Sequence, residues 1–566
     1  MKILKCGSVL LAALLLCGAA LTGCGKKDVN GEVAERENPK GNKETTAFEK
    51  TETENSSTET LPTDIDQGNG PHVHVWSEWT AESFLCNQWN RETRICQCGE
   101  GEARDIAPVG HQVVDGKCKL CQKEESQGLE LAYQEDGSYW VAGYGSCEDT
   151  DIIIPRKAPD GNIITGIAAG AFAESGWTGH RLQSITLPDS IKVIDDSAFI
   201  HCLSLTSINI PDGVTDIKEY AFFDCQSLTS IVIPDSVTAL GNASFQYCNK
   251  LKDITIGNGV KWIGARAFEY CEALTSIMIS DSVTSIGKSA FGDCSSLMYV
   301  TLGKNVTNID EDTFNDCIAL RSIVIPDSVT EIGEQAFSGC TNLEKVTIGN
   351  GLQSIEKNAF KNCQKLYELK DGIKYVDGWA IEVSGVVSNV VFAEGTRGIA
   401  NEVFSYMYDL KSVTFPSTIK SIGKSAFSDC IALTNITIPE GVTYIGDYAF
   451  QGCGLTKVTI PNSVTYIGNA VFYNCDSLTN VIISDGVTCI GSSAFKSCDN
   501  LVSVVMPNTI TKFENDLFYS CYNLTDITFK GTKAEWKAIE KGEDWNEDTG
   551  NYTVHCTDGD IPKSES

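Results

Sequence analysis

Cysteine and histidine side chains between residues 72 and 124 have the types and spacing of a metal site. Cys118 and Cys121 form a Cys-x-x-Cys pair, and 19 residues separate this pair from Cys98. The arrangement is close to the two-pair spacing of zinc ribbons, in which four thiolates hold a tetrahedral Zn²⁺. We therefore predict a small zinc-ribbon-like module over residues 72–124 with structural zinc held by Cys96, Cys98, Cys118 and Cys121.

The ligand set and the chemistry of this module have alternatives. Cys96 and Cys98 are separated by one residue and not the usual two, so His74, Cys86 and His111 are alternate or second-site ligands. About 50 residues bury too small a core to fold unaided, so metal or disulfide bonds are expected. The module has five cysteines, so disulfide bonds within it would leave one cysteine unpaired. Unpaired thiols throughout are the third alternative, after zinc and disulfide bonds. We expect no catalytic zinc, because no water-activating carboxylate motif accompanies the ligands.

The chain begins with the pattern of a secretion signal. Two lysines precede an apolar stretch that is too short to span a membrane as a mature helix. The stretch ends in Leu-Thr-Gly-Cys24, which resembles a bacterial lipobox. We predict a lipoprotein signal peptide over residues 1–23 and a diacylated Cys24, whose acyl chains would hold the protein on the outer face of the cell membrane. The alternative is an ordinary signal peptide followed by an incidental cysteine.

Composition defines the next segment and excludes one class of partner. Residues 24–71 are rich in Thr and Glu and poor in large apolar residues, so they are predicted to be a disordered acidic tether. The formal net charge of the chain is −31. We expect no nucleic-acid partner, because nucleic-acid binding requires basic surface.

A phenylalanine returns every 23 residues in eight consecutive repeats, and a cysteine follows each of these eight three positions later. A fixed period in this range is typical of a solenoid, in which each coil buries its apolar side against its neighbours. We predict a repeat solenoid over residues 128–530 and a C-terminal cap over residues 531–566. The first unbroken run comprises Phe199, Phe222, Phe245, Phe268, Phe291, Phe314, Phe337 and Phe360.

Each repeat is predicted to form a short strand and a short helical or irregular turn. Ile208 and Ile210 alternate with a polar residue, which is the period of a strand with one buried face. The spacing of four between Ile217, Ala221 and Cys225 favours one turn of helix. The repeat cysteines are predicted to be a row of buried thiols that act as small apolar groups.

The whole pattern, Leu-x-x-Ile-x-Ile-Pro-x-x-Val-x-x-Ile-Gly-x-x-Ala-Phe-x-x-Cys, resembles the leucine-rich repeat of BspA-like bacterial surface proteins. The segments at 129–133 and 531–536 resemble the first and last capping units of that family. The resemblance implies adhesion or ligand capture at the cell surface. It implies host, matrix or neighbouring-cell proteins or glycans as partners, without specifying one.

The repeat pattern degenerates near residues 366–403, between Phe360 and Phe404. Asp377-Gly378 predicts a β-hairpin in this stretch. An inserted enzymatic site would also lie here, so a cell-wall or glycan hydrolase with two carboxylates is one alternative function. A structural envelope spacer without a soluble ligand is the other.

Three aromatic residues in the second extended piece of their coils are the candidate ligand-binding residues: Trp262, Tyr444 and Tyr466. Tyr444 and Tyr466 are in adjacent coils and could form an exposed pair, although packing between coils would also explain them. Together these features predict a non-enzymatic, lipid-anchored surface protein whose solenoid mediates adhesion or macromolecular binding.

Overall fold

The computed structural model describes the backbone of residues 80–81, 90–95 and 101–106 and, in full, residues 112–119, 121–174 and 181–566. The predicted signal peptide, Cys24 and the tether lie outside the described residues. None of the helices among these residues is both long enough and apolar enough to cross a membrane.

Short antiparallel strands make up the described part of the predicted Cys/His module. Asn90–Ile95 pairs with Thr80–Ala81 on one side and with Gly101–Ile106 on the other. Val113–Val114 and Lys117–Cys118 form a separate two-stranded hairpin. Its turn residues, an Asp-Gly pair, have φ of 51° and 77°, which a type I′ turn requires.

The first side of each solenoid coil is a strand that pairs in parallel with the strand one repeat later, as Ile231 does with Ile254. Side chains alternate between the core and the surface along these strands, as predicted from the period of two. We call the set the long-strand ladder: Asp151–Ile153, Ser184–Thr186, Ser207–Ile208, Ser230–Ile233, Asp253–Ile256, Ser276–Met278, Tyr299–Thr301, Ser322–Ile325, Lys345–Ile348, Asn389–Val391, Ser412–Thr414, Lys457–Ile460, Asn480–Ile483, Ser503–Met506, Asp526–Phe529 and Thr553–Cys556.

The second side of each coil is a shorter strand, also parallel to its neighbours, which buries one apolar residue such as Ile217. We call this set the short-strand ladder: Ile164–Ile167, Val193–Ile194, Asp216–Ile217, Ala239–Leu240, Trp262–Ile263, Ser285–Ile286, Asn308–Ile309, Glu331–Ile332, Ser354–Ile355, Gly398–Ile399, Ser421–Ile422, Tyr444–Ile445, Tyr466–Ile467, Cys489–Ile490, Lys512–Phe513 and Glu540–Lys541.

The third side of each coil is a chain of turns, so the predicted helical turn through Ile217, Ala221 and Cys225 is wrong. The residues two before and two after the phenylalanine of a regular coil have positive φ. Around Phe222 these are Tyr220, with φ of 54°, and Asp224, with φ of 60°. These left-handed residues turn the amides toward the next coil. Phe222, for example, donates to the Ser244 carbonyl at 2.8 Å. Bonds between coils therefore replace the i to i−4 bonds of a helix.

The core is a column of stacked phenylalanine rings with a column of thiols beside it. The rings of Phe199 and Phe222 are 5.1 Å apart and inclined by 6°, and both are fully buried. The Cys225 thiol is also buried, as predicted, and it donates a hydrogen bond of 3.2 Å to the Phe199 carbonyl of the preceding coil. The same thiol–carbonyl contact recurs along the solenoid, for instance from Cys294 to Phe268 at 3.2 Å. The thiols therefore fill space and also link successive coils.

Irregular units close both ends of the solenoid. At the start, Glu130–Tyr133 is antiparallel to Tyr139–Gly143, which pairs in parallel with Ile164–Ile167 of the first coil. At the end, the helix Lys533–Ala538 begins with a Thr532 capping box and buries Trp536 against the last coils. Thr553–Cys556 then pairs with Gly559–Pro562, and a 3₁₀ turn over Lys563–Glu565 follows.

The solenoid is interrupted where the repeat pattern degenerates. The long-strand ladder stops after Lys345–Ile348 and resumes at Asn389–Val391. Between them Glu368–Lys370, Ile373–Val376 and Trp379–Val383 form an antiparallel meander. The predicted hairpin at Asp377-Gly378 is confirmed, with φ of 44° and 81° at its turn. Trp379–Val383 pairs in parallel with the short-strand ladder, so it replaces one strand of the coil that is missing here.

Side chains complete hydrogen bonds that the missing coil would otherwise make. The Asp377 carboxylate accepts from the Ile348 amide at 2.7 Å, and Arg397 donates to the Ile348 carbonyl at 3.1 Å. Asp377 and Arg397 are themselves ion-paired at 2.7 Å. The Tyr367 hydroxyl donates to the Phe360 carbonyl, the position that a repeat thiol occupies elsewhere. The interruption is therefore sealed on its core side.

Candidate functional site

Only two of the predicted zinc ligands, Cys118 and Cys121, are among the described residues. Cys96 and Cys98 lie outside them, as do the alternates His74, Cys86 and His111. Cys118 is buried and Cys121 exposed, and a tight turn joins them in which the Gln122 amide donates to the Cys118 carbonyl at 2.9 Å. Among the described residues no group of three or more His, Cys, Asp or Glu side chains is placed to hold a metal ion. The predicted four-ligand set would need residues from outside the described ranges.

The structure places the three candidate aromatics on the surface of the short-strand ladder. Trp262 lies between Ala239 and Ser285 of the neighbouring coils. Tyr444 and Tyr466 are in adjacent coils, many coils away from Trp262. Burial raises the pKa of both tyrosines, and the neighbouring carboxylate of Asp447 raises it further. The two tyrosines therefore share one electrostatic environment, whereas Trp262 belongs to a different region of the same side.

A straight row of exposed apolar side chains runs along the long-strand ladder. Val232, Met278 and Val324 are 55%, 72% and 64% exposed. Successive members of the row lie two coils apart, and a threonine occupies the same position in each coil between them. Val232 pairs with Thr255, and Met278 with Thr301. At about 4.8 Å per coil, the apolar groups repeat about every 10 Å on a flat strand surface. We call this set, Val232, Met278 and Val324, the apolar row.

A second row, which sequence reasoning missed, consists of half-buried aromatic rings on the third side of the coils. The rings of Tyr247 and Tyr270 stack at 4.7 Å, and Phe223 meets Tyr247 edge-on at 5.5 Å. His201 contacts Phe223 at 5.5 Å and the Asp224 carboxylate at 2.9 Å. The sequence does contain a sign of this row, because His201, Tyr247 and Tyr270 each occupy the position two after a column phenylalanine. Their contact could not be inferred, since that side was predicted only as a short helical or irregular turn, which does not specify contacts between coils.

A cleft of about 170 Å³ opens at the interruption, between the coils of Phe360 and Phe404. The carboxylates of Glu356, Glu382 and Glu402 lie at its edge, which is where the hydrolase alternative would place its acids. Two of the three are neutralised by lysines. Glu382 binds Lys374 at 2.9 Å, and Glu402 binds Lys357 at 2.8 Å across the cleft. The arrangement gives those two acids a structural role.

Buried repeat thiols such as Cys294 and Cys498 are poorly placed for thiolate chemistry in the folded protein. Complete burial raises the pKa of Cys294 and Cys498 well above that of a free thiol, because the thiolate would be desolvated. The thiolate is the reactive form, so these groups are shielded from oxidants and electrophiles. Cys489, on the short-strand ladder and outside the thiol column, is only partly buried.

Comparison with known proteins agrees with the repeat architecture. The model of the BspA type leucine-rich repeat region matches six copies, over residues 165–298, 261–384 and 397–525. No curated protein matches this chain.

Several solved structures resemble the chain at low overall superposition. A leucine-rich repeat protein from Bacteroides ovatus is 26% identical, covers 68% of this chain and 94% of its own, and has a TM-score of 0.41. A leucine-rich cell surface protein from Faecalibacterium prausnitzii is 25% identical, covers 74% of this chain and 98% of its own, and has a TM-score of 0.31.

The repeat match itself covers more than half of the sequence, and the observed coils have the strand, phenylalanine and cysteine positions of that repeat. The chain is a member of the BspA type leucine-rich repeat family.

Proposed function

We propose that this chain is a non-enzymatic, lipid-anchored cell-surface protein whose solenoid binds host, matrix or neighbouring-cell proteins or glycans. The apolar row carries the proposal. Single exposed apolar side chains are normal on a protein surface, whereas several that recur at one position along a strand face indicate an interaction surface. The flat parallel strands hold the row rigidly, so little conformational entropy is lost on binding.

Binding should depend on the apolar row. We expect Met278→Asp combined with Val324→Asp in the full-length protein to weaken binding to a captured partner at least tenfold, because each carboxylate would be desolvated in the interface. The partner would be found by screening arrays of matrix proteins and glycans and measured by surface plasmon resonance.

Ile318→Asp combined with Ile431→Asp is the matched control, since both isoleucines are exposed but lie outside the row. This variant should bind within twofold of the unmodified protein. Absence of saturable binding to any array component contradicts the proposal. Crosslinking on intact cells that recovers only bacterial envelope neighbours would favour the spacer instead.

The membrane anchor is the second part of the proposal, and it is supported by the lipobox at Cys24. Diacylation there would provide the two acyl chains that stable membrane attachment requires. Cys24→Ser should move the protein from the membrane fraction to the soluble fraction of lysed cells. An unchanged distribution would reject the anchor but leave the binding surface untouched.

The third part is structural zinc in the Cys/His module, held by Cys96, Cys98, Cys118 and Cys121. The buried Cys118 and its tight turn to Cys121 support it. Elemental analysis of the full-length protein should find one zinc per chain, and the combined changes Cys118→Ser and Cys121→Ser should remove it. Zinc content that these changes leave intact would rule out this ligand set.

A further inference from the structure

We infer that the cleft at the interruption is a binding site for a short polypeptide segment with small side chains, which pairs through its main chain with both walls. The site is independent of the apolar row, because the cleft lies on the third side of the coils. Its walls are the facing surfaces of the Phe360 coil and the Phe404 coil, and Ile381, Glu382 and Val383 of the meander also line it.

The cleft is wedge-shaped. At the short-strand ladder the two coils are in direct contact, with the Asn401 amide donating to the Ile355 carbonyl at 2.9 Å. On the third side they diverge. Ring stacking continues from Phe337 to Phe360 at 5.3 Å and resumes from Phe404 to Phe427 at 5.2 Å, but no ring contact joins Phe360 to Phe404. The wedge therefore opens where a further coil would normally stack.

Regular neighbouring coils show what the walls are built to bind. The amides two before, at and two after a column phenylalanine donate to three carbonyls of the next coil; among the described regular coils only the Gln335 amide, two before Phe337, lacks this bond. For the Phe404 coil these bonds, to the coil of Phe427, measure 2.9, 2.9 and 2.8 Å. For the Phe314 coil they measure 3.0, 2.8 and 2.8 Å. All three donors point the same way along the solenoid, so every coil has a donor face and an acceptor face.

At the cleft these two faces are left without their partners. Among the described residues, the amides of Asn358, Phe360 and Asn362 make no hydrogen bond. The same holds for the carbonyls of the opposite wall, which are those of Asn401, Val403 and Ser405. Main-chain groups of this kind are rarely unpaired except where water or a ligand completes them. The volume of about 170 Å³ admits on the order of ten waters, which a ligand would displace.

A polypeptide main chain is the ligand class that fits both walls. It presents carbonyls to the donor wall and amides to the acceptor wall at the two-residue spacing of the regular coils, as in strand addition to an exposed edge. A simple anion would suit the amides alone, and it would face the carbonyls and acidic side chains of the other wall. Tyr367 closes the core side, so large inward-facing side chains are excluded.

The probe for the test is a fluorescent peptide of residues 334–340, a segment that lies between two such walls in its own coil, carrying Phe337→Ala and Cys340→Ser. We expect saturable binding to the full-length protein by fluorescence anisotropy. N-methylation of the peptide at its second, fourth and sixth residues removes the donors to the carbonyl wall. It should weaken binding at least tenfold. Val383→Trp, which fills the cleft, should weaken binding equally.

Val502→Trp, at an exposed position outside both the cleft and the apolar row, is the control and should bind the peptide within twofold of the unmodified protein. Hydrogen exchange on the unmodified protein gives a second readout that does not depend on a folded variant. The peptide should slow exchange of the amides at 358, 360 and 362. No saturable binding, equal binding of the N-methylated peptide, unchanged exchange at these amides, or competition by inorganic phosphate would each overturn the inference.

Discussion

Raising the pH from 7.5 to 9.5 should sharply lower the free energy of unfolding of the solenoid. Burial raises the pKa of Cys363, Cys475 and Cys521 to about 12, whereas a thiol in an unfolded chain has a pKa of about 8.5. The folded pKa is the higher one, so the stabilisation is complete below about pH 8.5 and is lost as pH rises toward the folded pKa. Each such thiol contributes about 1.4 kcal/mol per pH unit in that window.

Urea unfolding followed by circular dichroism at several pH values measures this slope. The three thiols alone should give about 4 kcal/mol per pH unit above pH 8.5, and further buried thiols with a raised pKa, such as Cys294 and Cys498, should steepen that slope. Cys475→Ser removes one titrating group and keeps a donor for the Phe450 carbonyl, so the slope should fall by about 1.4 kcal/mol per pH unit. Cys489→Ser, at a partly buried position, should change it less. A free energy of unfolding that stays constant up to pH 9.5 would contradict the expected stabilisation by buried, protonated thiols.

The sequence predicted those parts of the fold that repeat at one spacing and depend on contacts within a coil. The alternation of Ile208 and Ile210 predicted the long strands, and the 23-residue period predicted the columns of phenylalanine and cysteine. The Asp377-Gly378 pair predicted its hairpin, because both positions need positive φ and this pair tolerates it.

The third side could not be predicted, because contacts between coils determine it. The spacing of four between Ile217, Ala221 and Cys225 fits a helical turn equally well within one repeat. The bond from Phe222 to Ser244, one coil away, selects the left-handed turns instead. The same reasoning explains why the aromatic row at Tyr247 and the cleft were missed. Both arise from how neighbouring coils stack, which a pattern within one repeat does not encode.

Phe291→Ala should destabilise the solenoid more than Phe360→Ala, although both rings are buried. Phe291 stacks on rings at 5.4 and 5.5 Å on its two sides, whereas Phe360 has one stacked neighbour, at 5.3 Å. Removing a buried phenylalanine side chain costs about 3–5 kcal/mol, and each aromatic pair lost adds about 0.5–1.5 kcal/mol. We therefore expect Phe360→Ala to be milder by about 1 kcal/mol.

The shape of the unfolding transition distinguishes the two variants further. Solenoid stability is a sum of coil and neighbour terms, so a weak coil in the middle of a regular stack should divide one transition into two. Phe291→Ala should produce that division in a calorimetric scan. Phe360→Ala lies at an existing discontinuity and should change the profile less. Phe223→Ala, which removes a half-buried surface ring, is the control and should leave the profile unchanged. Equal effects of Phe291→Ala and Phe360→Ala would mean that stacking between rings contributes nothing beyond burial of each ring.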